Sequence, residues 1–73
     1  MDAQMNVIIK ALPNEARGLL ALMPESDQEQ FIGALLAKSD SAAKAVAAPN
    51  FQGMGDELTK LCQATKETIG RVL

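Results

Sequence analysis

The side chains able to do covalent or metal chemistry are few. There is one thiol, Cys62, and the chain has no histidine, tyrosine or tryptophan. An acyl-transfer nucleophile needs a base beside it. Without histidine, Cys62 has only a lysine or a helix N-terminus to activate it. Its spacing places it mid-helix, on an apolar face beside Leu61, where a small buried hydrophobe is expected. A zinc centre needs about four ligands and finds a single soft one here. A lone cysteine closes no intrachain disulfide. The nine acidic residues are spread along the chain, mostly where helices begin, so capping accounts for them better than a converging carboxylate pair. Gly53-Met54-Gly55 lacks the lysine of a phosphate-cradling loop and runs into Asp56 and Glu57, which repel phosphate. The sequence is read as non-enzymatic, with no catalytic residue, no metal and no cofactor.

Basic residues decide between nucleic acid and protein as a partner. The net charge is −2 and the pI about 4.9, which gives no pull toward a polyanion. Only Phe31 and Phe51 are aromatic, so a base-stacking platform is missing. A compact helix-turn-helix-like DNA-binding regulator is the alternative reading, because the second and third helices are joined tightly. Its recognition helix would open Asp27-Gln28-Glu29-Gln30 and reach its first cation only at Lys38. Two glutamines suit base edges, but the acids between them would face phosphates. Convergence of Lys10, Arg17, Lys38 and Lys44 on one face would favour DNA, whereas their dispersal favours a protein partner.

These residues must be positioned by a small fold. Seventy-three residues make one domain, 1–73. Hydrophobic residues are 48% of the chain, twelve of them alanine, and β-branched residues are scattered. That composition predicts an all-α bundle of four short helices. Their bounds are about 2–12, 13–23, 27–38 and 56–72, with 49–55 as a loop and 39–48 either extending the third helix or restarting on its own. Met5, Ile8, Ile9 and Leu12 form the first stripe, with Asp2 as N-cap. Pro13 opens the second helix, carrying Ala16, Leu19, Leu20 and Met23, and Gly18 there is read as room for a neighbouring helix. Ser26-Asp27-Gln28-Glu29 has the form of a capping box for the third. Ser39-Asp40-Ser41 interrupts the pattern. Phe51 and Met54 are expected to plug the bundle end, an exposed contact patch being the alternative. Asp56 is the expected N-cap of the last helix.

Two short stretches resemble known families. Leu12-Pro13-Asn14-Glu15 and Met23-Pro24-Glu25-Ser26 each place an apolar residue and a proline before a short helix. Over residues 11–37 this is similar to the tandem short-helix repeats of bacterial motor-switch and magnesium-transporter regulatory domains, with no residue role carried over. Asp40-Ser41-Ala42 resembles the attachment motif of acyl carrier proteins, which implies a phosphopantetheine arm on Ser41. The leucine of that motif and the acidic helix after it are absent here, and helix capping explains Ser41 without a cofactor. An acyl-carrier-like protein modified at Ser41 is therefore a remote alternative.

The core is expected to be thin, because twenty-three larger apolar residues serve four helices. A homodimer or a bound partner is expected to complete it. The expected seam comprises Phe31, Ile32, Leu35 and Leu36 of the third helix with Leu58, Leu61, Thr65, Ile69, Val72 and Leu73 of the last. The expected function is a small protein-interaction module (an adaptor, inhibitor or regulator) that presents an apolar helical face to a protein partner or to itself. No stretch reads as a membrane span or a secretory leader, so a cytoplasmic location is expected.

Overall fold

The computed structural model describes residues 2–73. They form five α-helices: α1 (Ala3–Ala11), α2 (Asn14–Leu20), α3 (Glu25–Leu36), α4 (Asp40–Ala47) and α5 (Gly55–Val72). A 3-10 turn, Ala48–Asn50, follows α4. The all-α class stands, with five helices where four were expected. Among the described residues no helix is long and apolar enough to cross a membrane.

Local chemistry sets most of the boundaries. Asp2 caps α1, its Oδ1 accepting from the Met5 N–H at 2.8 Å. Leu12 has ψ 146°, the extended conformation that a following proline imposes, and α1 ends there. Pro13 (φ −58°, ψ 153°) and Pro24 (φ −58°, ψ 156°) share one geometry, each standing just before its helix. The two proline echoes in the sequence are thus two copies of one local turn. Each is anchored by a buried apolar residue ahead of it, Leu12 and Met23.

That geometry corrects the capping box. α3 begins at Glu25, so Ser26 lies inside its first turn and cannot cap it. The amide side chain of Gln28 instead donates to the Met23 carbonyl at 2.8 Å, tying the chain before Pro24 to the helix after it. The last helix is corrected in the same way. It begins at Gly55, and Asp56 lies in its first turn. α2 stops at Leu20, and tighter turns carry the chain through Leu22 and Met23.

Residues 39–48 do not continue α3. The break is at Lys38, the one non-glycine among the described residues with positive φ, at 60°. The Ser39 N–H bonds the Ala34 carbonyl at 2.8 Å, and the Lys38 N–H bonds that of Leu35 at 3.0 Å. This pair of bonds is a Schellman cap, which normally carries glycine at the left-handed position. α4 then folds back on α3, the most extensively packed helix pair among the described residues. Ala43 and Ala47 of α4 are fully buried, and their small side chains let a neighbouring helix come near.

α5 is the pillar against which α1, α2, α3 and α4 all pack. Ile8, Leu20, Phe31, Ile32 and Leu61 are the large side chains at the centre, with Thr65 and Thr68 beside them. Phe51 plugs the bundle end, as expected, and Met54 packs half-buried against it. Gly53, at φ 75°, supplies the left-handed residue that the Phe51–Met54 turn requires. The Asn50 amide donates to Asp27 at 3.2 Å and fastens this turn to α3. Gly18 makes no room for a neighbour, because a Cβ there would meet nothing within 4 Å.

The surface measures 4238 Å². A folded monomer of 7.7 kDa exposes about 4,300 Å². The chain thus closes its core about as well as an ordinary monomer, and among the described residues no buried polar side chain lacks a hydrogen-bond partner. Closing the core therefore does not require the homodimer or bound partner that its thinness led to expect.

Candidate protein-interaction surface

The expected seam divides three ways. Phe31, Ile32, Leu35, Leu61 and Thr65 are buried within the chain's own core. This corrects their assignment to an interface, because their stripes supply the chain's own core; Leu35, at 4% exposed, still lines the groove described below. Leu36, Leu58 and Ile69 are half-buried against that core. Val72 and Leu73 are exposed, at 36% and 65%. Val72 is the last residue of α5 and Leu73 follows it. Val7 and Leu22 are also exposed.

An open groove of ≈ 460 Å³ lies where the α3–α4 turn meets the C-terminal half of α5. Leu35 and Ile69 give it an apolar floor, and Lys38, Asp40, Lys66 and Gly70 complete its walls. Asp40 sits in the first turn of α4, where the helix dipole favours a carboxylate. It accepts from Lys66 Nζ at 2.7 Å, across twenty-six residues of sequence. The hydrogen bond to Asp40, and then the attraction of its charge, hold the Lys66 pKa above its ordinary value. Both side chains are about half exposed, so the pair locates α4 on α5 more than it stabilises the fold.

On the other side of that ion pair lies a second groove, which reaches Lys44, Thr59, Cys62, Gln63 and Glu67. Cys62 is 6% exposed. Burial pushes its thiol pKa up, opposed by the nearby charges of Lys44 and Lys66 and assisted by that of Asp40. A thiol held in its neutral form is a poor nucleophile. Among the described residues no group of three His, Cys, Asp or Glu is placed to hold a metal ion. Ser41 is an exposed residue in the first turn of α4.

The four cations that were to decide between partners are split. Lys38 and Lys44 stand with Lys66 around Asp40. Lys10 and Arg17 belong to α1 and α2, whose main partner is α5 rather than α4. Arg17 is engaged locally with the Asn14 side chain.

Sequence reasoning found Leu35 and Ile69 but missed Lys38, Asp40, Lys66 and Gly70. Their only signal was the Ser39-Asp40-Ser41 interruption, which marks a break in α3 without saying what faces it. Comparison of the chain with protein-family models, with curated proteins and with solved structures returns no match.

Proposed function

We propose that this chain is a small non-enzymatic protein-interaction module, an adaptor, inhibitor or regulator that acts in the cytoplasm by offering an apolar helical surface to another protein. The observation that carries this reading is the apolar-floored groove beside α5. A core that is otherwise closed leaves Ile69 half-covered there, and α5 goes on to the exposed Val72 and Leu73. Exposed apolar surface on a self-sufficient fold marks contact surface more often than catalysis. The dispersed cations and the neutral Cys62 support it as well. A homodimer is one form of the same reading, with α5 of a second copy as the partner.

The test is Ile69→Asp, which places a charge on the groove floor without touching a fully buried position. Wild-type and variant chains are used as baits in cells that produce the protein, and light scattering follows the mass of each. The reading expects a protein retained by the wild type and lost from the variant, or a wild-type dimer that the variant dissociates. Identical retention and identical mass, with the variant's helicity intact, would refute it.

A further inference from the structure

We propose that the groove between the α3–α4 turn and α5 receives an amphipathic helix of a partner protein, one carrying an acidic side chain beside a pair of apolar ones. The inference rests on the interaction-module reading and names the partner's chemistry.

Two residues that serve the fold poorly meet at this groove. Lys38 holds a left-handed conformation that glycine adopts without strain, at the C′ position of a Schellman cap. Nothing in the fold requires a side chain at that position, since Lys38 is exposed and has no ion-pair partner among the described residues. Gly70 lies two residues before the end of α5, where alanine favours a helix. A Cβ at Gly70 would meet nothing within 4 Å, so packing inside the chain does not explain the glycine. Backbone strain and lost propensity concentrate where binding compensates for them.

Charge selects the occupant. Lys66 is paired with Asp40 at 2.7 Å, whereas Lys38, on the same groove, has no ion-pair partner among the described residues. Lys44 is a second cation in the adjoining groove. Lys38, beside the apolar floor of Leu35 and Ile69, complements an acidic and apolar ligand. No sheet edge exists among the described residues for an extended peptide to join, so helix-in-groove docking is the mode that fits. A second copy is the rival occupant, and the mass of the wild-type chain tests it in the experiment below.

The experiment selects short random peptides displayed on phage against the full chain, then measures synthetic versions of the recovered peptides on variants. The expected peptides carry apolar residues at i and i+3 or i+4 with an Asp or Glu beside them. They should bind Lys38→Arg like the wild type and bind Lys38→Gly and Gly70→Leu about tenfold more weakly or worse. Lys38→Gly should at the same time melt at a higher temperature, which separates lost binding from lost folding. Basic peptides, or peptides indifferent to Lys38 and Gly70 but sensitive to Leu73→Asp, would overturn the groove inference and leave the interaction reading intact. A concentration-dependent dimer of the wild type that Gly70→Leu abolishes would overturn the choice of occupant. Failure to recover any peptide, with a monomer at all concentrations, would count against both.

Discussion

Thr65 and Thr68 put hydroxyls on the core face of α5. Each donates to the carbonyl four residues back, to Leu61 at 2.7 Å and to Ala64 at 2.8 Å. The accepting carbonyls keep their helical bonds, so the hydroxyl needs this acceptor more than the acceptor needs the hydroxyl. Thr65→Val removes donor and demand together and should change stability by under about 1 kcal/mol. Thr65→Ser keeps the hydroxyl but deletes a buried methyl and should cost about 1 kcal/mol. Urea unfolding of the two variants orders them; a reversed order would mean that the hydroxyl holds α5 together. Cys62 supplies a pH dependence at the same scale. Burial raises its folded pKa above the unfolded value. Its contribution is therefore fully present below the ordinary thiol range and is lost as pH climbs through the raised folded value, because the unfolded chain releases its proton first. Wild-type stability should fall between neutral pH and pH values above the thiol range more than that of Cys62→Ala, as read by chemical denaturation across that window.

Among the elements, α1 and α5 were the most legible, because each carries an apolar stripe at helical spacing and α1 has a working side-chain cap. The α3–α4 corner was not legible. Left-handed helix ends announce themselves by glycine, and this one is lysine, so nothing in the local pattern separates a continuous helix from a reversed one. The capping box failed for a related reason. Its residue types were right, but Pro24, with φ fixed and ψ extended, had already set the helix start two residues earlier. The groove was less legible still, since its walls come from the α3–α4 corner and from α5, and only tertiary packing brings Asp40 to Lys66. One prediction belongs to this corner. Ala43 and Ala47 are the fully buried residues of α4, which packs on α3 and α5. Ala43→Leu adds volume where no space exists and should destabilise the chain by about 1–3 kcal/mol. Ala45→Leu, on the exposed side of the same helix, should leave stability nearly unchanged. Thermal melts of the pair separate overpacking from any change in helix propensity.

For the molecule as a whole, the question is how a core this small holds without a staple. Length and alanine content made a partner look necessary, yet the exposed area is that of an ordinary monomer. The resolution is geometric: fully buried alanines in α4 and the length of α5 let few large side chains fill the centre. Stability of this kind is a sum of small terms, and the molecule does not sit at its optimum. Gly18 shows this. It lies in the interior of α2, exposed, with ordinary backbone angles and nothing within 4 Å of a Cβ placed there. Gly18→Ala should then gain about 1 kcal/mol from helix propensity and reduced unfolded-state entropy. In a domain of this size that raises Tm by about 4–8 °C. Lys38→Gly should raise Tm comparably by relieving the left-handed lysine. The two substitutions differ in what else they change. Gly18 lies outside both grooves beside Asp40, so its alanine variant should keep whatever binding the wild type shows, whereas the Lys38 variant should lose it. Calorimetry on both variants, beside the peptide titration, checks this. If Lys38→Gly gained no stability, the lysine would cost the fold nothing, and the corner would lose its claim to be shaped for a partner.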